Sequence, residues 1–215
     1  MTVNSCAKSL QLVVFDMDGT LTQVESTWQY LHESLGTWGI GRRSAEDYWS
    51  GLITYTEWAR NDAKAWQGIS LNKVRQLFAS VPYTPGSNEA VSELVGHRIQ
   101  VALVSAGIAF LADRTARQLG IQFAIANELI HRDGRLTGEV KVNVSLTGKA
   151  DIVRRIAEDN AIPLEACAAI GDTSYDLPSC VGLRIAFNPR DAQTAQLADI
   201  VIRDRDLRSV LQHIL

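Results

Sequence analysis

The chain of 215 residues contains few cysteines and few prolines, three of the former and five of the latter. The cysteines lie far apart, at Cys6, Cys167 and Cys180, so they form neither a disulfide framework nor a zinc-binding spacing. Histidine is also scarce, and the four histidines form no pair at helical spacing. We therefore do not expect a metal site built from thiolates or imidazoles.

Long apolar runs and an excess of basic residues are absent as well. Apolar runs such as Leu12–Phe15 are far shorter than the roughly 20 residues of a membrane-spanning helix. The formal net charge of −3 predicts no basic surface for nucleic acid or an anionic membrane. Residues 1–10 lack the basic and apolar regions of a signal peptide. We expect a cytoplasmic protein that binds neither nucleic acid nor membranes.

What the chain does contain is an alternation of short apolar runs and helical patterns. Most of the runs are apolar throughout, which is typical of parallel strands buried on both faces. The predicted strands are residues 10–15, 99–105, 168–172, 184–187 and 200–202. Helical patterns occupy residues 87–96, 109–120 and 149–160. This order predicts an α/β sandwich around a mainly parallel sheet, with a small hairpin turn at Asp133-Gly134.

Residues 22–85 have almost no strand signal and contain all five tryptophans. Two helical faces are recognisable in them, one with Trp28 and Leu31, the other with Tyr55 and Asp62. We interpret residues 22–85 as a helical cap domain inserted after the first strand. The catalytic core would then comprise residues 1–21 and 86–215.

Acidic side chains follow two of the predicted strands. Asp16 and Asp18 come after the first, and Asp172 and Asp176 follow residues 168–171. Ligands bind at the carboxyl ends of parallel strands, and carboxylate oxygens suit Mg²⁺. With Mg²⁺ present, an ionised Asp16 could attack phosphorus, while Asp18 could protonate the leaving oxygen and later deprotonate water. Each motif alone is equally compatible with a capped turn.

Two further segments suit a phosphate group. Ser105, Ala106 and Gly107 follow an apolar strand and precede a helix, where a hydroxyl and free backbone N–H groups can bind phosphate oxygens. Lys149 begins a helix, a position at which a cation is unfavourable unless an anion lies nearby. Taken singly, a serine N-cap and a solvated lysine explain these residues equally well.

Together these motifs, Asp16-x-Asp18-Gly-Thr, Ser105, Lys149 and Gly171-Asp172-x-x-x-Asp176, resemble the haloacid dehalogenase superfamily and its phosphoserine phosphatase branch. The resemblance implies a Rossmann-like three-layer core with a helical cap. It implies that Asp16 is the nucleophile and that Asp18 is the acid and base and gives its carbonyl to Mg²⁺. Asp172 would be a metal ligand supported by Asp176, and Ser105, Gly107 and Lys149 would bind phosphate.

The resemblance assigns substrate choice to the cap. Glu25 occupies the position of a glutamate that holds the substrate amine in that branch. Seven residues after the aromatic Tyr55, where the branch has an arginine for the substrate carboxylate, stands Asp62, and Arg60 lies nearby on another side of the helix. We therefore expect an acidic cap pocket formed by Glu25 and Asp62, suited to a substrate with an amine or several hydroxyls.

The function predicted is a magnesium-dependent phosphatase for a small phosphorylated metabolite, acting as a monomer or homodimer. A phosphotransferase with the same phospho-aspartate, a non-catalytic phosphometabolite sensor and a dehalogenase are the alternatives. The second carboxylate at Asp18 and the acidic motif at Asp172 favour phosphoryl transfer over dehalogenation.

Overall fold

A computed structural model describes residues 9–215; the predicted structural thiol at Cys6 lies outside the described residues. Within this range the sheet has seven strands in the order β4-β3-β2-β1-β5-β6-β7. All neighbouring strands are parallel except β3 and β4, which form the hairpin predicted at Asp133-Gly134. The strands are β1 (Leu12–Phe15), β2 (Gln100–Ile108), β3 (Phe123–Arg132), β4 (Arg135–Lys141), β5 (Cys167–Gly171), β6 (Leu183–Phe187) and β7 (Ile200–Ile202).

Helices precede, connect and cover these strands. They are α1 (Thr27–Leu35), α2 (Trp38–Trp49), α3 (Tyr55–Ala65), α4 (Leu71–Ala79), α5 (Ser87–Gly96), α6 (Ala109–Leu119), α7 (Lys149–Asp159) and α8 (Ala192–Leu197). Short 3-10 turns lie at Leu164–Ala166, Ser174–Asp176 and Leu207–His213. No helix among the described residues is long and apolar enough to cross a membrane.

The sheet is buried on both faces because alternate residues of its central strands point to opposite sides. Val13 and Phe15 of β1 pack in one apolar cluster together with residues of α5 and α6. Leu12 and Val14 pack in the other, which includes Ile152 and Ile156 of α7. The predicted α/β three-layer sandwich with a mainly parallel sheet is therefore confirmed. Strand β2 continues three residues beyond its predicted end, and β3 and β4 are much longer than the small hairpin expected.

Helices α1–α4, here called the four-helix segment, lie between β1 and α5, as the pattern of residues 22–85 predicts. Trp28 and Trp66 stack inside the segment with ring centroids 5.7 Å apart. The same apolar cluster continues into the sheet at Phe15 and Leu103, so the segment and the sheet share buried apolar contacts. The exact division into core and cap stays a prediction.

The turn at Pro85-Gly86 returns the chain from the four-helix segment to α5. Gly86 has φ 78°, a conformation that favours glycine. A Cβ atom there would overlap with Oδ1 of Asp206. That carboxylate accepts a hydrogen bond from the backbone N–H of Arg208 and caps the C-terminal turn. The turn therefore depends on the absence of a side chain at residue 86.

We predict that Gly86→Ala destabilises the fold more than Gly68→Ala does. Gly68 has a similar φ of 82°, but a Cβ atom added there would meet no atom of the described residues within 4 Å, so it isolates the backbone strain. We expect Gly68→Ala to lower the free energy of unfolding by about 1–2 kcal/mol through backbone strain. Gly86→Ala should lower it by roughly 2 kcal/mol more, because the added Cβ atom overpacks the turn. Urea unfolding measures both; equal losses would contradict the steric argument.

Candidate active site

The carboxyl ends of the central parallel strands bring the predicted chemical groups together. Asp16 follows β1, Ser105 lies in the last half of β2, and Asp172 follows β5. Lys149 is the first residue of α7 and reaches the same place. One cavity of about 290 Å³ is lined by these four side chains and by Asp18, Ala106, Gly107 and Asp176. Every core residue predicted for the site therefore lies at one edge of the sheet.

Three of the carboxylates lie close enough to share one ion. Asp16, Asp172 and Asp176 each offer an oxygen, and these oxygens all lie within 4.8 Å of one another. Lys149 Nζ donates to Oδ1 of Asp16 at 2.6 Å and also to Oδ1 of Asp176. All four of these side chains are buried. The site therefore concentrates negative charge away from water, with Lys149 between two of the carboxylates.

The pKa values reflect this concentration of buried charge. Burial, together with the charge of Asp176, raises the pKa of Asp16 well above its usual range, despite the opposing effect of Lys149. Burial also raises the pKa of Asp172 to about 7, although Arg190 opposes the shift. For Lys149 burial alone would lower the pKa, but Asp16 and Asp176 raise it above its usual value. The carboxylates therefore need more positive charge than the protein supplies.

Asp18 is held by the start of α1. The backbone N–H and the hydroxyl of Thr27 donate to Oδ2 of Asp18 at 2.7 and 2.9 Å. The other oxygen, Oδ1, is buried and has no hydrogen-bond partner among residues 9–215. Burial raises the pKa of this carboxyl, while the Thr27 hydrogen bonds lower it. One oxygen of Asp18 is thus fixed in position, and the other is available to a ligand.

Asn127 organises the loop predicted to bind phosphate, a role that the sequence did not predict, although the segment 125–129 is part of the family resemblance. Its Nδ2 donates to the carbonyl oxygens of Ala106 and Val144 at 2.7 and 2.9 Å and to the hydroxyl of Tyr55 at 3.0 Å. Its Oδ1 accepts from the backbone N–H groups of Asn143 and Val144, both at 2.9 Å. The fully buried side chain therefore joins three separate segments around the site.

Arg190 is a site residue that sequence reasoning missed. Its Nε donates to Oδ2 of Asp172 at 2.5 Å, and its Nη2 donates to the carbonyl oxygens of Glu25 and Asp18 at 2.6 and 3.3 Å. The only sequence signal is its position shortly after β6, at the same edge of the sheet. Arg190 positions Asp172 and ties the chain before α1 to the sheet.

The predicted cap residues fall in different places. Glu25 is exposed but lines the cavity, and Tyr55 donates its hydroxyl to the carbonyl oxygen of Ala106 at 2.6 Å. Asp62 also lines the cavity, but it is buried, and its Oδ1 lies 3.2 Å from Nε2 of His32. Arg60 is exposed and is not among the lining residues. The cavity thus contains both acidic residues of the predicted pocket, whereas Arg60 lies away from it.

The donor set suits a divalent cation. Asp18, Asp16, Asp172 and Asp176 supply four carboxylates, whereas Lys149 and Arg190 supply two positive charges, which leaves an excess of two negative charges. Oδ1 of Asp172 is buried without a hydrogen-bond partner among the described residues, as is Oδ1 of Asp18. Oxygen ligands of this kind are those of Mg²⁺ and related hard cations. The residues therefore fit the metal that the sequence predicts.

Comparison with known proteins agrees with this site. A family model described as haloacid dehalogenase-like hydrolase matches residues 13–180. This chain belongs to the haloacid dehalogenase-like hydrolase family.

Two relatives that match nearly the whole chain are phosphoserine phosphatases. The chain is 30% identical over 210 residues to a phosphoserine phosphatase of Methanocaldococcus jannaschii, covering 96% of this chain and 99% of the relative. It is also 30% identical to a phosphoserine phosphatase of Streptococcus thermophilus, covering 94% of each chain. These findings confirm the resemblance predicted from the motifs and the enzyme class that follows from it.

Solved structures give the same result. A substrate-bound phosphoserine phosphatase complex is similar with a TM-score of 0.84 and 29% identity, covering 97% of this chain and 100% of the other. A phospho-aspartyl intermediate analogue of phosphoserine phosphatase has a TM-score of 0.83 and the same identity and coverage. The fold and the order of its elements are thus shared with phosphatases over nearly the whole chain.

We predict that Asn127→Ala destabilises the fold by about 3 kcal/mol, because it leaves several buried backbone groups without partners. It should also lower catalytic efficiency, since the loop at Ala106 loses its support. Urea unfolding and steady-state kinetics measure the two effects. Asn72→Ala, an exposed change on α4, is the control and should stay within about 0.5 kcal/mol. A loss at Asn127 no larger than at Asn72 would contradict the role described.

Proposed function

We propose that this chain is a magnesium-dependent phosphatase that hydrolyses a small phosphomonoester through a phospho-aspartate on Asp16. The observation that carries the proposal is the convergence of Asp16, Asp18, Lys149 and the Ser105–Gly107 loop in one buried cavity. The similarity to phosphoserine phosphatases over nearly the full chain supports it.

In the first step an ionised Asp16 attacks phosphorus, and the bond from phosphorus to the ester oxygen breaks. Lys149, 2.6 Å from Asp16, neutralises charge that would otherwise repel the phosphate. Asp18 gives a proton to the leaving oxygen, so the product departs as a neutral alcohol. Oδ1 of Asp18 is buried and has no hydrogen-bond partner among the described residues, so it is available to carry that proton.

In the second step water attacks the phosphorus of phospho-aspartate, and the bond to the Asp16 oxygen breaks. Asp18, now ionised, takes the proton of that water. Thr27 keeps the carboxylate of Asp18 in one orientation through both steps, since its two hydrogen bonds occupy only Oδ2. Inorganic phosphate then leaves, and Asp16 returns to its initial state.

The phosphate oxygens are bound by the loop after the buried part of β2. Ser105 is buried, and its Oγ accepts a hydrogen bond from the backbone N–H of Gly107 at 3.0 Å. The Ser105 hydroxyl proton is therefore available to a phosphate oxygen, because the hydroxyl oxygen acts as an acceptor for Gly107. We assign Ser105, Ala106, Gly107 and Lys149 to phosphate binding.

Magnesium would be held by Asp16, the carbonyl oxygen of Asp18 and Asp172, with Asp176 beside them, and would neutralise the charge of the transferred phosphoryl group. In the described structure Asp176 is fixed by the backbone N–H and hydroxyl of Thr173 at 2.8 and 2.6 Å. Asp172 is fixed by the guanidinium group of Arg190, whose Nε donates to its Oδ2 at 2.5 Å. Both carboxylates are thus held in place by the protein itself.

We predict that Asp16→Asn lowers turnover of p-nitrophenyl phosphate and phosphoserine at least about a thousandfold, since the nucleophile is lost. Steady-state assays with Mg²⁺ measure the loss, and circular dichroism checks the fold. Asp151→Asn, an exposed carboxylate on α7 paired with Arg154, is the matched control. Wild-type turnover by Asp16→Asn would exclude the phospho-aspartate.

We also predict that removing divalent ions with a chelator abolishes turnover and that added Mg²⁺ restores it. The physical reason is the excess of buried negative charge around Asp16, which opposes the approach of an anionic phosphate. Full turnover in the chelated enzyme would show that Lys149 and Arg190 suffice for neutralisation.

A further inference from the structure

An aromatic cluster borders the cavity on the side of the four-helix segment. It consists of Tyr48, Trp49, Tyr55 and Trp58, defined here as the aromatic cluster. Tyr48 lies 4.9 Å from both Trp49 and Trp58, and Tyr55 lies 5.9 Å from Trp58, measured between ring centroids. Several pairs meet edge to face, so the rings present differently oriented π-faces. Trp49, Tyr55 and Trp58 all line the cavity.

The cluster lies directly beside the loop assigned to phosphate. The hydroxyl of Tyr55 is bound to the carbonyl oxygen of Ala106 at 2.6 Å, and Ala106 lies next to Ser105 in that loop. Trp28 Nε1 donates to the same carbonyl oxygen at 2.9 Å. A phosphomonoester bound at Ser105 would therefore bring its organic group to the aromatic rings through a short linker.

Positive charge among the lining residues is concentrated at the phosphate end. Lys149 is bound to Asp16 and Asp176, and Arg190 is bound to Asp172. Toward the four-helix segment the described lining residues include the acidic Asp62 and Glu25 but no further lysine or arginine. A substrate carboxylate entering this region would find no lysine or arginine among those residues, and the imidazole of His32 already lies 3.2 Å from Asp62.

Asp62 places a buried carboxylate at the wall of the cavity, next to His32. The residue is only 1% exposed, and its Oδ1 has no hydrogen-bond partner among residues 9–215. His32 Nε2 lies 3.2 Å away, and within the same part of the chain it too lacks a well-formed hydrogen bond. Nδ1 of His32 is bound to the hydroxyl of Thr37 at 2.8 Å, which fixes the ring. The carboxylate of Asp62 is thus paired with His32, but as an acidic residue of the cavity wall it favours a cationic group over a second carboxylate on this side.

We propose that the organic part of the substrate carries an ammonium group and no carboxylate, so that the substrate class is the phosphate ester of a small amino or quaternary ammonium alcohol that lacks a carboxyl group. The inference rests on the proposed function and deepens it. An ammonium group over aromatic faces gains cation–π attraction and needs few hydrogen bonds. A sugar would need many polar partners, whereas the lining here is predominantly aromatic and apolar. Phosphoserine would bring a carboxylate toward Asp62 and Glu25.

The test compares two esters of nearly equal shape. Choline phosphate carries a positively charged quaternary nitrogen at the position where 3,3-dimethylbutyl phosphate carries a neutral carbon. We expect catalytic efficiency at least about tenfold higher for choline phosphate. We expect the same order for ethanolamine phosphate against propyl phosphate. Equal efficiency within both pairs would overturn the inference, and so would a higher efficiency for phosphoserine than for either ammonium ester.

Substitutions in the aromatic cluster and at Asp62 test whether these two features recognise the ammonium group. Trp58→Leu should reduce the preference within the choline pair to less than about threefold, while Trp58→Phe, which keeps a π-face, should retain part of it. Asp62→Asn should also reduce the preference. Glu46→Gln removes an exposed carboxylate of α2 that does not line the cavity, and it should leave the preference unchanged. An unchanged preference in both Trp58→Leu and Asp62→Asn would contradict recognition at this site.

Measurements of ligand binding without turnover test this inference independently of the proposed phosphatase activity. Calorimetry on Asp16→Asn with Mg²⁺ measures the affinity for both esters of the choline pair without turnover. Tighter binding of choline phosphate supports ammonium recognition even if the wild-type chain hydrolyses no ester. The absence of hydrolysis would then reject only the proposed phosphatase activity. Hydrolysis of p-nitrophenyl phosphate combined with equal binding of the pair would reject only the ammonium inference.

Discussion

The placement of several buried carboxylates at one edge of a parallel sheet is the constraint on which the rest of this structure depends. Asp16 and Asp172 follow adjacent strands, and a short turn adds Asp176 to them. Without opposing charge such a group would repel itself and resist burial. Lys149 and Arg190 supply part of that charge from separate places in the chain, one from α7 and one from the loop after β6. The remaining negative charge is what makes the site suitable for a divalent cation.

The same edge is mechanically connected to the four-helix segment. Thr27 at the start of α1 holds Asp18, while Trp28 and Tyr55 both donate to the carbonyl oxygen of Ala106. Asn127 donates to that carbonyl oxygen as well. Movement of α1 or α3 relative to the sheet would therefore change the contacts of the acid and of the phosphate loop together. The four-helix segment is therefore joined to the site by these hydrogen bonds in addition to the apolar cluster that it shares with the sheet.

Much of this arrangement could be predicted because it depends on chain order alone. Apolar runs buried on both faces predict parallel strands, and the carboxyl ends of parallel strands meet at one edge, so Asp16 and Asp172 could be placed together from the sequence. Arg190 and Asn127 could not be predicted, since each acts through contacts with distant segments that no local pattern records. The hairpin of β3 and β4 was expected to be shorter because only its turn, Asp133-Gly134, has a clear signal. The roles assigned to the predicted residues stay predictions until they are tested.

The two ends of the cavity differ in composition, and on our proposals this separates the reaction from the choice of substrate. The groups proposed to act on phosphorus lie at the carboxyl edge of the sheet and are fixed by charge and by hydrogen bonds. The groups proposed to contact the organic part lie on α1–α3, where Asp62 and His32 form a buried pair near the aromatic cluster. A substrate carboxylate would need a cation in place of Asp62, and an exposure of only 1% leaves no room for a longer side chain without repacking. On this proposal, specificity depends on the packing of buried residues such as Asp62 as well as on exposed lining residues such as Glu25.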